Sequence, residues 1–158
     1  MKKSLLQLNP VRILVRSTNW IGDAVMTLPA VRTIRGNFPQ AKIFMLARPW
    51  VADLFAANRY VDEVIPYHKK GQHRGIKGFF LLARELRHYR FDMAILLQNA
   101  FEAAFLARLA RIPVVVFTAA TNVEAIPREE YPNIADVLAK PVSAMRLVET
   151  VAHTLNLS

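Results

Sequence analysis

R-I-L-V-R-S-T-N-W-I-G-D-A-V-M-T-L-P-A-V-R-T-I, residues 12 to 34, sets an apolar run, a polar turn with one glycine and one carboxylate, and a helical repeat in direct succession. Ile13-Leu14-Val15 reads as a buried parallel strand, because a strand covered on both faces is continuously apolar. Ala24, Val25, Leu28, Val31 and Ile34 then recur at helical spacing. Such a turn falls at the carboxyl edge of a sheet, where open α/β folds bind ligands and a helix N-terminus favours anions. Asp23 stands in that turn. It is either a chemical group at the mouth of the sheet or a first-turn acid that offsets the helix macrodipole, and the local pattern fits both.

The same alternation continues outward. Strands are predicted at 12–17, 42–47, 63–67, 92–98, 114–119 and 135–139, and helices at 20–36, 50–58, 76–89, 101–110, 121–131 and 143–156. Six strands separated by helices imply a three-layer, doubly wound parallel sheet of Rossmann-like type with right-handed crossovers, in the order 3-2-1-4-5-6. In the last helix Ala144, Leu147, Val148, Val151, Ala152 and Leu155 share one face behind Ser143 as N-cap. With 158 residues, 53% of them apolar, the chain suits one domain over 1–158.

The absence of cysteine excludes disulfides and thiolate chemistry. The basic start, Met1-Lys2-Lys3, precedes an apolar run too short for a signal peptide, and no stretch has membrane-spanning length. A soluble cytoplasmic protein with no integral membrane segment is expected. The net charge of +9 is uneven: residues 1–112 carry 18 Lys or Arg against 7 Asp or Glu, whereas residues 113–158 carry 3 against 5. A basic face on the first part suits phosphate-bearing partners. Nucleic acid is not among those expected, since exposed aromatics do not interleave the cations and no helix-turn-helix or zinc pattern occurs.

Between Tyr67 and Ile76 runs H-K-K-G-Q-H-R-G, a basic loop that suits capture of a phosphorylated ligand and equally suits a mobile solvated connection. His68 and His73 have neither helical ligand spacing nor a carboxylate nearby in sequence, so no metal site is expected. The turn at 17–23 has one glycine where a dinucleotide fingerprint has three, and no P-loop occurs. No cofactor is expected.

From about Val11 to Pro113 the chain resembles the acceptor-side, N-terminal domain of bacterial lipopolysaccharide heptosyltransferases, of the ADP-heptose:LPS heptosyltransferase II type. The stretches that carry it are R-I-L-V-R-S-T-N-W-I-G-D-A-V-M-T-L-P-A-V-R at 12–32, A-K-I-F-M-L-A-R-P-W at 41–50, Y-V-D-E-V-I at 60–65, F-D-M-A-I-L-L-Q-N at 91–99 and A-R-I-P at 110–113. The resemblance implies half of a two-domain GT-B glycosyltransferase, with Asp23 as a vestigial general base on the acceptor hydroxyl. Removing that proton as the oxygen attacks is work a carboxylate can do. The implied partner is the phosphorylated LPS core acceptor. Trp20, Gly22 and Asn99 are expected on the acceptor side, with Arg16, Arg48, Lys69, Lys70 and Arg74 as electrostatic contacts.

Beyond Pro113, P-V-V-V-F-T-A-A at 113–120 and D-V-L-A-K-P-V-S-A-M-R-L-V-E-T-V at 136–151 instead resemble the last β-α units of a response-regulator receiver domain. Thr118 matches its switch threonine and Lys140, before Pro141, its active-site lysine. These remnants lack the receiver's acids, because Thr18-Asn19 and Gln98-Asn99 stand where carboxylates are required. The expected whole is a chimera, engineered by recombination, with a heptosyltransferase-like part over 1–113, a receiver-like part over 114–158 and no turnover of its own. Two alternatives stay open: a half-glycosyltransferase that needs a donor domain in trans, and a non-phosphorylatable interaction module. Acetyl phosphate with Mg²⁺ is expected to leave the intact mass unchanged; a stable aspartyl phosphate would show that the strands are misplaced.

Overall fold

The computed structural model describes residues 10–97, 101–118 and 134–139, with backbone alone at 101, 115–118 and 134–139. Its elements are β1 (Arg12–Arg16), α1 (Ile21–Asn37), β2 (Lys42–Ala47), α2 (Pro49–Ala56), β3 (Glu63–Pro66), α3 (Gly75–His88), β4 (Met93–Leu96), α4 (Phe101–Leu109), β5 (Val114–Thr118) and β6 (Ile134–Ala139). The strands form one parallel sheet in the order β3-β2-β1-β4-β5-β6. The parallel, Rossmann-like α/β architecture is the one the alternation implies. The helices expected at 121–131 and 143–156 lie outside the described residues. Among the described residues no helix is long and apolar enough to cross a membrane.

Side-chain alternation sorts the strands between two cores. Ile13, Val15, Ile43, Met45, Met93 and Ile95 pack with Ala24, Val31 and Ile34 of α1 and Val51 and Phe55 of α2. Leu14, Phe44, Leu46, Ile65, Ala94 and Leu96 pack with Leu82 and Leu86 of α3 and Ala103, Leu106 and Ala107 of α4. Each large apolar side chain withdrawn from water in this way contributes about 1.5 to 3 kcal/mol. Both faces of the central strands are thus dry, which is why their sequences are continuously apolar.

Helix α1 departs from expectation in the residues it buries. Its buried residues are Ala24, Thr27, Val31 and Ile34, and Val25 is exposed instead of facing the core. Thr27 is tolerated there because its hydroxyl donates to the Ala24 carbonyl at 2.7 Å. The helix also runs through Pro29, whose side lies in solvent, so the carbonyl that loses its N–H partner there can be hydrated.

The amino edge of the sheet is clamped by two aspartates in equivalent places. Asp92, just before β4, accepts from the backbone N–H groups of Val11 and Arg12 at 2.7 and 2.8 Å. Asp62, just before β3, accepts from the Ile43 N–H at 2.7 Å and pairs with Arg35. Each satisfies donors that strand pairing leaves open at the end of a neighbouring strand. β4 therefore begins at Met93 and not at Asp92.

Helix α3 approaches the preceding loop so closely that a Cβ on Gly78 would lie 2.2 Å from the His73 carbonyl carbon. Gly75, at φ +65°, makes the left-handed bend that starts the helix. Because backbone, and not a pliable side chain, faces Gly78, Gly78→Ala is expected to lower stability by about 3 kcal/mol. Urea unfolding of the two proteins measures it, and an unchanged midpoint would show that the loop yields.

Candidate functional site

The alternation that builds the second core also builds a crevice at the carboxyl edge of the sheet. Continuing the Leu14 face one step reaches Arg16; continuing Phe44 and Leu46 reaches Arg48; continuing Ile65 reaches Tyr67. Backbone bonds hold these residues beyond the regular ladder: Ser17 N–H to the Leu46 carbonyl at 3.0 Å and Tyr67 N–H to the Ala47 carbonyl at 2.7 Å. Arg48 is extended because Pro49 follows it, and it serves as N-cap residue of α2. The crevice is lined by Arg16, Asn19, Arg48, Tyr67 and, from the first turns of α4, Glu102, Ala103 and Leu106.

Both guanidinium side chains are buried, with residue exposures of 4% for Arg16 and 9% for Arg48. Arg16 donates to the Ser17 carbonyl at 2.7 Å, the Leu46 carbonyl at 3.2 Å and Asn19 Oδ1 at 3.1 Å. Arg48 donates from Nε to the same Asn19 oxygen at 3.3 Å. The guanidinium carbons of Arg48 and Arg16 lie 4.5 and 5.4 Å from the Tyr67 ring centroid, within cation–π range. The Tyr67 hydroxyl donates to Glu102 Oε1 at 2.6 Å, and Lys69 pairs with the other oxygen of Glu102. Trp50 donates its indole N–H to the Asn19 carbonyl at 2.9 Å, which fixes the turn between β1 and α1 against α2.

The charges are poorly balanced. Burial, and then the like charge of Arg48, lower the pKa of Arg16 to about 10. Burial, reinforced by the hydrogen bond to Glu102, pushes the Tyr67 phenol well above its ordinary range, so it acts as a donor. Burial raises Glu102, but the hydrogen bonds from Lys69 and Tyr67 and the nearby cations outweigh it and hold the carboxyl below the usual range. Among the described residues neither Arg16 nor Arg48 has a carboxylate within ion-pair distance.

The expected site residues divide. Arg16 and Arg48 line the crevice, and Lys69 reaches its rim through Glu102. Trp20, Gly22 and Asp23 are exposed at the start of α1, and none lines the crevice. A Cβ on Gly22 would meet nothing within 4 Å, so close packing does not require glycine there. Lys70 and Arg74 are exposed and stand outside the lining. Asn99 and Lys140 lie outside the described residues; Thr118 ends β5, with its side chain likewise outside.

Hydrogen bonds tie the basic loop to itself and to α3. Gly71 and His73 N–H groups bond the His68 carbonyl at 2.9 and 3.0 Å, and Arg74 N–H bonds Gly71. His73 is 1% exposed and does have a carboxylate partner. Its Nδ1 accepts from the His68 N–H at 3.1 Å, so Nε2 carries the proton and donates to Glu85 of α3 at 3.1 Å. Asn19, Tyr67 and Glu102 were not singled out from sequence. The available signals were the alternation of Tyr67 with Ile65 and the place of Glu102 in the first turn of a predicted helix.

Comparison with known proteins finds similarity to glycosyltransferases. Residues 79–128 match the family Glycosyltransferase family 9 (heptosyltransferase). That match extends past Pro113, where the resemblance was expected to stop. Lipopolysaccharide heptosyltransferase 2 from Salmonella typhimurium is 33% identical over 103 residues, covering 65% of this chain and 30% of the relative. The Escherichia coli K12 protein of the same name gives the same identity and coverage. The chain thus spans about 30% of the length of these curated relatives. Among solved structures, a family 9 glycosyl transferase from Veillonella parvula superposes with a TM-score of 0.70 at 21% identity, over 94% of this chain and 42% of that one. The E. coli ADP-heptose LPS heptosyltransferase II gives 0.64 at 28% identity, over 88% and 39%.

Glu102 supplies the negative charge of the crevice. Because its folded pKa is depressed, its contribution to stability is present above the ordinary glutamate value of about 4.3 and is lost as pH falls through the folded value. Glu102→Gln is expected to cost about 1 to 2 kcal/mol at pH 7, limited by solvent screening of this half-exposed side chain. The difference should shrink below pH 4. Urea midpoints of both proteins at pH 7 and pH 3 test this, and an equal gap at both would remove the carboxylate from the account.

Proposed function

We propose that this chain serves as the acceptor-side half of a heptosyltransferase-type glycosyltransferase. The similarity to lipopolysaccharide heptosyltransferase 2 carries the reading. Heptose would pass from ADP-heptose to a hydroxyl of a phosphorylated LPS core acceptor, with Asp23 as general base. Its place supports that role: it stands exposed in the first turn of α1, at the carboxyl edge of the sheet, where a substrate hydroxyl can reach it. The donor has to be held by a second half. Orientation of two reactants supplies about 7 to 11 kcal/mol in favourable cases, so the chain alone is expected to show no turnover.

A second reading is a recombined scaffold whose last β-α units are receiver-like. The F-T-A-A and L-A-K-P stretches and the change of charge sign favour it. β5 and β6 pair in parallel beyond β4, as two such units would. The family match over residues 79–128 overlaps the start of that receiver-like part, which weighs for the first reading.

Asp23→Asn separates chemistry from structure. A first-turn acid at a helix start contributes up to about 1 kcal/mol, so stability should fall by no more than that. Loss of a general base should slow transfer by about 10² to 10⁴-fold. The assay mixes the chain with the isolated donor half of a relative, ADP-heptose and phosphorylated core oligosaccharide. Transfer that survives in the variant would remove Asp23 from the chemistry, and transfer by the chain alone would refute the need for a second half.

A further inference from the structure

We propose that the crevice where Arg16 and Arg48 converge over Tyr67 binds an oxyanion, a phosphate or carboxylate group carried by a sugar. This deepens the acceptor-side reading, and it rests on that reading only for the molecule that carries the group.

Arg48 is nine-tenths buried and, among the described residues, engages only its Nε in a hydrogen bond, at Asn19. Among the described residues its two terminal nitrogens have no hydrogen-bond partner, although the side chain lines the crevice. A buried guanidinium with free donors carries the full desolvation penalty of an unmet group, and an oxyanion meets it with paired N–H···O bonds. Stacking over Tyr67 engages the face of the guanidinium, which leaves its in-plane donors available.

Arg16 stands beside it with the same sign of charge, and the burial and repulsion already described weaken its hold on a proton. The internal counter-charge offsets the pair only in part, since the oxygens of Glu102 also serve Tyr67 and Lys69. Counting Arg16, Arg48 and Lys69 against Glu102, the crevice carries two uncompensated positive charges. It opens at the carboxyl ends of β1 and β2, beside the switch point between β1 and β4 where doubly wound sheets take their ligands.

Inorganic phosphate, glucose 6-phosphate, glucuronate and glucose are titrated into the purified chain by NMR and calorimetry at 0.15 M salt, with no donor present. The anions are expected to bind and glucose is not. Tighter binding of glucose 6-phosphate identifies a phosphate site, and tighter binding of glucuronate a carboxylate site. Arg48→Met should weaken the anion at least tenfold. Glu102→Gln, although less stable, should bind several-fold more tightly because a competing negative charge is gone. Lys42→Met, at the opposite edge of the sheet, should leave affinity unchanged. Absence of anion binding, weaker binding by Glu102→Gln, or equal losses in the Arg48 and Lys42 variants would each overturn the proposal. Anion binding that depends on Arg48 without transfer in the reconstituted assay would overturn the transferase reading alone.

Discussion

A parallel sheet covered on both faces has nowhere to put polarity except at its two ends. The amino ends of its strands present open N–H groups and the carboxyl ends open C=O groups. This chain answers the first with carboxylates, Asp62 and Asp92, and the second with a guanidinium, Arg16, which donates to the Ser17 and Leu46 carbonyls. Buried cations therefore gather at the carboxyl edge and clamping carboxylates at the other. That polarity makes the carboxyl edge electrostatically suited to negative charge.

The cationic edge works against folding stability. Burial and the like charge of Arg48 make the charged state of Arg16 unfavourable and lower its pKa to about 10. Two cation–π contacts with Tyr67 return about 0.5 to 2 kcal/mol each, and the carbonyl bonds of Arg16 offset part of the rest. An apolar pair in the same places would remove the penalty, as replacement of buried ionic groups often shows. Retaining both arginines is intelligible where the site has work to do at the expense of stability.

The fold was legible because strand burial and helix period are local properties of sequence. Ile13-Leu14-Val15 and Ile43-Phe44-Met45-Leu46 mark doubly buried strands without reference to anything distant. Arg16 and Arg48 were visible singly as cations near strand ends, but their convergence depends on which face each strand turns inward. Glu102 is 35 residues from Tyr67 and has no sequence mark of that partnership. The basic loop misled because composition reports solvent affinity and not anchorage. His73 pins it through Glu85, and Gly78 is small so that α3 can close over it. Pro29 does not interrupt the helix predicted over 20–36, because its side lies in solvent and the freed carbonyl can be hydrated.

The turn from Ser17 to Trp20 joins the two parts of the edge. Asn19 holds both arginines with one side-chain oxygen and receives the Trp50 indole on its carbonyl, so its position is set from β1, β2 and α2 together. Trp20 is the N-cap residue of α1, and Asp23 follows within the first turn, about 5 Å along the helix axis. Asp23 thus belongs to the layer of α1 and α2, and the arginine crevice to the layer of α3 and α4, with the end of β1 between them. A ligand that placed an anionic group on Arg48 and a hydroxyl at Asp23 would have to straddle the end of β1. A sugar with an anionic substituent remote from its reacting hydroxyl has that shape; a bare phosphate does not, and it would engage the crevice alone. Since Asn19 and Asp23 are four residues apart in sequence, the spacing between the arginine crevice and Asp23 is set largely by the backbone of the β1–α1 turn.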